Sequence, residues 1–188
     1  MGRIILMMSV SLDGVIAGPG GDLGWQRVDD ELHRHFNTEL AAMGAFLSGR
    51  TMYELMAGFW PTADQDPAST PPMVEFARIW RDMPKIVYSR TLDRADWHTT
   101  VVRQVRADQV RELAQQSAAD LSLGGAGVAA TFRGLDLIDE YRLYLHPVVV
   151  GGGTPLFAPH GVPTDLELAG TATFGNGVVL LRYRRPGR

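Results

Sequence analysis

The chain has 188 residues, 45% of them apolar and 21% charged, a balance that fits one globular domain and leaves too little for two. A net charge of -3 gives no reason to invoke nucleic acid or an anionic membrane, and no apolar run approaches the roughly 20 residues needed to span a bilayer. Cysteine is absent, which excludes disulfides and thiolate metal sites, and of the five histidines only His33 and His35 are close, on different faces of any helix, which argues against a histidine metal centre.

Residues 3–11 are almost continuously apolar and predict a strand buried on both faces, central in a sheet. No small-residue cleavage site follows this run, so it reads as mature sequence of a cytoplasmic protein. The strand ends at Asp13-Gly14, and the glycine-rich stretch to Trp25 reads as a long loop covering a pocket. Asp29 is placed to cap a helix whose Leu32, Phe36, Leu40 and Met43 share one face.

A second short strand, 45–48, runs into Gly49-Arg50-Thr51 and a helix carrying Met52, Leu55 and Met56. Arg50 there can grip a phosphate bidentately or pair with a surface carboxylate, and Thr51 can cap the helix. Residues 62–72 form a polar, proline-rich loop expected outside the core, and 73–81 an amphipathic helix with Phe76, Ile79 and Trp80 inward. A third buried strand, 85–89, leads into Ser89-Arg90-Thr91; a fourth strand is expected at 99–103 and a helix at 110–118.

Residues 120–137 are a short strand, a glycine turn and a helix closed by Gly134. The free N–H groups of such a helix start favour an anion, here read as a nucleotide pyrophosphate, while the same glycines also permit tight strand-to-helix packing. The last third changes character. In 140–150, Tyr141, Leu143, Leu145 and Pro147 alternate with Arg142, Tyr144 and His146, and strands 166–174 and 178–185 are joined by the hairpin turn Gly175-Asn176-Gly177. The pattern predicts an α/β protein with three αβα layers around a mixed, mostly parallel sheet ending in an antiparallel hairpin.

Six segments in this order, SLDGVIAG with Trp25 beyond it, LSGRTMYE, KIVYSRT, SLGGAGVAATF and LHPVVVGGGTPLF, resemble the dihydrofolate-reductase-like fold, and more closely the C-terminal reductase domain of bacterial riboflavin biosynthesis proteins in stand-alone form. The resemblance covers essentially the whole chain. It implies an NADPH-dependent reductase of a small heterocycle, a pterin or flavin precursor, or else a non-catalytic ligand-binding module of the same fold. It implies that Gly124, Gly125, Ala126, Gly127 and Val128 receive the pyrophosphate. Gly49, Arg50 and Thr51 then hold the adenosine side, with Ser89 and Arg90 sharing a 2′-phosphate, and Val15, Ile16 and Ala17 lie near nicotinamide.

Two acids match family positions for a proton source: Asp13 in the first loop and Asp30, five residues after Trp25. Each is also ordinary where it stands, Asp13 as a turn former and Asp30 as a first-turn helix residue. Trp25, Tyr53, Trp60 and His146 are candidate walls of the substrate pocket. No zinc deaminase signature is present, and the basic residues for a ribitol phosphate are missing. The resemblance further implies a homodimer formed through the sheet edge, with residues 141–150 and the final hairpin as its surface.

Overall fold

The computed structural model describes residues 1–157 and 163–187. The first strand, β1 (Ile4–Ser11), continues into a short β2 (Val15–Ala17), and α1 (Asp30–Ala41) follows the glycine-rich loop. Next come β3 (Ala45–Gly49), α2 (Arg50–Ala57), α3 (Pro71–Asp82), β4 (Lys85–Tyr88) and β5 (Thr99–Val102). Then follow α4 (Ala107–Gln116), β6 (Leu121–Gly124), α5 (Ala126–Gly134), β7 (Glu140–His146), β8 (Thr154–Pro155), β9 (Glu167–Thr173) and β10 (Val179–Arg184).

Eight strands form one sheet in the order β5-β4-β3-β6-β1-β7-β10-β9. The pairs from β5 to β7 are parallel, and β10 runs antiparallel to both β7 and β9. β1 is central, as its unbroken apolar run requires. Ile4, Leu6 and Val10 pack on one side with Val110 and Ala114 of α4 and Val128 and Phe132 of α5. Ile5 and Met7 pack on the other with Leu32 of α1, Tyr144 and Leu180. A strand with both faces covered reads as a continuous apolar stretch. This gives three layers, with Phe76 and Trp80 of α3 in one cluster with Tyr53 of α2 and Val87 of β4, against which Leu40 of α1 packs. Asp29 caps α1 as expected, its carboxylate accepting from Leu32 N at 3.0 Å. The closing hairpin turns on Gly177, whose φ of +87° suits glycine.

Residues 62–72 are exposed over most of their length, as expected, and only Ala63 and Pro72 are buried, in a 3-10 turn and at the start of α3. Arg81 fastens this segment through a two-bond pair with Asp64, at 2.7 and 2.9 Å. The alternation in β7 does not divide it into a buried and an exposed face: Glu140, Arg142, Tyr144 and His146 are all buried. Burial opposes the charge on Glu140, yet hydrogen bonds from Arg142 and Arg184 hold its carboxyl below the usual range, and Arg3 adds a contact at 2.7 Å. Arg142 also pairs with Glu39 of α1. Nor is β7 an edge: it lies between β1 and β10, and the free edge on that side is β9, exposed along nearly its whole length.

Candidate active site

Five strand ends, those of β1, β3, β4, β6 and β7, come to the same edge of the sheet because all five strands are parallel. The β6–α5 turn is built on Gly125, whose φ of +96° with ψ of 132° is a conformation L side chains rarely adopt. Gly125 is the N-cap of α5 and supplies no side-chain hydrogen bond, so the first-turn N–H groups of α5 keep their donor capacity. Gly127 is exposed, with nothing within 4 Å of where a Cβ would lie. Gly125 N donates to the sulfur of Met8 at 3.2 Å, which seats the turn on β1.

The second turn lies alongside. Gly49 caps α2 without a side-chain bond, and a Cβ on Gly49 would stand 3.8 Å from Val128 Cβ. A Cβ on Gly124 would stand 3.4 Å from Met52. Two uncapped helix starts therefore face one edge, a favourable setting for an anion. Thr51 is not the cap; it lies inside the first turn of α2, exposed.

Arg50 links this turn to the third. Its Nη1 donates to Thr91 Oγ1 at 3.0 Å, and its Nε bonds Glu54 at 2.8 Å. The guanidinium is half exposed, so it retains donors for a ligand. Ser89 is buried, and its hydroxyl accepts from Thr91 N and Leu92 N at 3.2 and 3.0 Å. It shapes the turn, while Arg90 is the exposed cation of the turn. Arg103, which sequence reading passed over, donates to the carbonyls of Arg90 and Leu92 at 3.2 and 2.8 Å and braces the loop from β5.

At the end of β1, Asp13 is exposed and accepts three bonds: from Ser11 Oγ at 2.6 Å, Val150 N at 3.1 Å and Gly151 N at 2.8 Å. The Ser11 hydroxyl first, then the two amides, hold its carboxyl at about 2. Val15 is buried and Ile16 and Ala17 are half-buried; Val15 N donates to Ser11 Oγ at 3.0 Å.

Trp25 and His146 are brought together, edge to face with centroids 5.5 Å apart. His146 is fully buried, and its Nδ1 accepts from Arg27 N at 3.0 Å, which places the proton of the neutral ring on Nε2. Burial, then the charge of Arg27, lowers this imidazole to about 4. Its Nε2 is buried with no hydrogen-bond partner among the described residues.

The remaining candidates have contacts of their own. Asp30 begins α1 and makes an exposed contact with Arg34 at 3.4 Å. Trp60 is half-buried against His33 and Phe76, centroids 5.6 and 4.6 Å away. Tyr53 is core and not a pocket wall: it stacks on Trp80, and its hydroxyl both accepts from Asp96 N and donates to Asp96 O.

The mixed, mostly parallel sheet with its polar turns along one edge is that of the dihydrofolate-reductase-like fold class. Within that class the chain belongs to the RibD C-terminal domain family, whose profile matches residues 3–180. It is 33% identical over 186 residues to the uncharacterised protein YyaP of Bacillus subtilis (strain 168), covering 98% of this chain and 96% of that one. Among solved structures it is similar to a protein from Shewanella sp. PV-4 that carries a riboflavin biosynthesis name, with a TM-score of 0.75, 21% identity, and 98% and 99% of the two chains covered. It is also similar to dihydrofolate reductase of Enterococcus faecalis complexed with NADP(H), with a TM-score of 0.66, 16% identity, and 98% and 97% covered. Among the described residues no helix is long and apolar enough to cross a membrane, and no His, Cys, Asp and Glu group has the makings of a metal site.

Proposed function

We propose that this protein is an NADPH-dependent reductase of a small heterocyclic substrate, a pterin, a flavin precursor or a compound of similar shape. The observation that carries this reading is the pair of uncapped helix starts at Gly49 and Gly125, joined by Arg50 to the turn at Thr91. That set fits an extended dinucleotide: a strained glycine that a side chain would disfavour, an open space over Gly127, and the Arg50 cation at the start of α2. When bound, the cofactor supplies a hydride from nicotinamide.

The residues divide the work. Gly124, Gly125, Ala126, Gly127 and Val128 offer backbone donors to the pyrophosphate. Gly49, Arg50 and Thr51 hold the adenosine side, and Arg50 with Arg90 favours a 2′-phosphate, hence NADPH over NADH. Ser89 keeps that turn in shape. Val15, Ile16 and Ala17 close the nicotinamide end and exclude water. Trp25 and Trp60 border the substrate, and His146, neutral at physiological pH, contributes a fixed Nε2–H donor. Asp30, accessible at the start of α1, is the proton source for the reduced atom. We assign the protein to the cytoplasm and to a homodimer built on the exposed edge of β9; a solution mass of a single chain would remove the dimer from the account.

The test is a screen of pterins, flavins and quinones for steady NADPH oxidation, repeated with Asp30→Asn. Turnover lost in the variant with NADPH affinity retained supports the assignment. NADPH binding without turnover on any compound makes the protein a ligand-binding module of the same fold.

A further inference from the structure

Two segments far apart in sequence are fastened together above the end of β1. On one side are residues 12–18, leaving β1 and forming β2; on the other are residues 148–156, leaving β7 and forming β8. β2 and β8 pair antiparallel, Val15 opposite Pro155 and Ala17 opposite Thr154. Leu12 N donates to Val148 O at 2.8 Å, and Leu156 N donates to Gly14 O at 2.9 Å. Gly153 has a φ of +121°, and a Cβ there would fall 2.1 Å from Ala17 O. The straps touch too closely at that point for any side chain.

Asp13 is the charged member of this junction. One oxygen takes the Ser11 hydroxyl and Val150 N–H, and the other takes Gly151 N–H. All three partners are donors, so the group they require is an acceptor-only carboxylate; a protonated acid would set its own O–H against one of them.

We propose that Asp13 is a positioning residue, joining 12–18 and 148–156 into one two-strap unit that presents Val15, Ile16 and Ala17 to the cofactor edge. What the unit serves rests on the reductase reading above; the coupling of its straps does not. Asp13 thereby leaves the donation of protons to another group.

Amide hydrogen exchange on the full chain tests the coupling without any ligand. In Asp13→Ala, exchange in 14–18 and in 148–156 rises together, by about tenfold or more for a lost charge-assisted bond, while α3 and β4 keep their wild-type rates. Gly153→Ala, which forces the straps apart from the opposite side, gives the same two-segment response, and Asp13→Asn, with one acceptor oxygen left, an intermediate one. If Asp13→Ala does not fold, the latter two variants decide. Loosening confined to 11–14, or 14–18 unaffected by Gly153→Ala, overturns the proposal.

NADPH titrated into the same variants tests what the straps serve. The expected result is a Kd raised about tenfold in Asp13→Ala and in Gly153→Ala. Wild-type affinity with loosened straps overturns the link to the cofactor. Failure of the wild-type protein to bind NADPH sinks the reductase reading instead, and the exchange result still stands. With a substrate from the screen, Asp13→Asn raises the KM for NADPH in step with its loosened straps, while the pH profile of the remaining turnover is unshifted. Turnover abolished at unchanged NADPH affinity makes Asp13 the proton donor and overturns the proposal.

Discussion

Gly127→Ala separates the two roles a glycine can have at the start of a helix. Gly127 lies in the first turn of α5, exposed, without a positive φ, and with nothing within 4 Å of an added Cβ. In the unliganded protein the change removes backbone freedom from the unfolded chain and improves helix propensity, so it stabilises by about 0.5–1 kcal/mol. For a chain of this length that raises Tm by about 1–4 °C. Helical Cβ atoms point toward the N-terminus, so the new methyl leans over the first-turn N–H groups, where the pyrophosphate is assigned. There it meets the ligand, and NADPH affinity falls by about tenfold, roughly 1.4 kcal/mol. Thermal melts of the free protein and calorimetric titration of NADPH read the two effects separately. A lowered Tm would mean that α5 does not begin at Ala126. A raised Tm with unchanged NADPH affinity would refute the seat of the pyrophosphate.

Arg50→Ala weakens NADPH about tenfold and NADH hardly at all, while stability changes by less than about 1 kcal/mol because the contacts to Glu54 and Thr91 are exposed; an unchanged ratio of the two affinities removes the 2′-phosphate from Arg50. Tyr53→Phe leaves Asp96 N without its acceptor and costs about 1–2 kcal/mol, a fall in Tm of about 2–8 °C, with no effect on NADPH binding; a changed NADPH affinity with Tm intact would return Tyr53 to the site. His146 contributes a pH dependence of definite sign. It titrates near 4 in the fold against 6.5 when free, so between these values the unfolded chain binds more protons. Stability is full above 6.5 and declines as pH falls toward 4, by an amount on the order of 1–3 kcal/mol. Urea midpoints measured from pH 4.5 to 7 show this slope, and His146→Gln flattens it; an equal slope in the variant assigns the pH dependence elsewhere.

What was legible in the sequence was what short-range chemistry decides. β1 follows from an unbroken apolar run, the cap of α1 from Asp29, the hairpin from Gly175-Asn176-Gly177, and the three polar turns from glycine, serine and arginine at strand ends. What was not legible depends on partners distant in the chain. The alternation in β7 does not reveal that Arg142 and Glu140 are buried, because the residues that meet them there, Glu39, Arg3 and Arg184, are far off in the chain or on another strand. Asp13 read equally as an acid or a turn former, and its amide partners lie 137 and 138 residues away. The support of the site was hidden for the same reason. Met8 looks like any core residue of a buried strand and Arg103 like any surface cation, until the turns they hold are in place.

The central claim is that three turns at one sheet edge hold NADPH. Isothermal titration of NADPH and of NADH into the same wild-type protein tests it most directly. The account predicts one NADPH per chain, with NADH at least about tenfold weaker because it lacks the 2′-phosphate proposed to bind Arg50 and Arg90. Equal affinity for the two cofactors, or no heat from either, would contradict it.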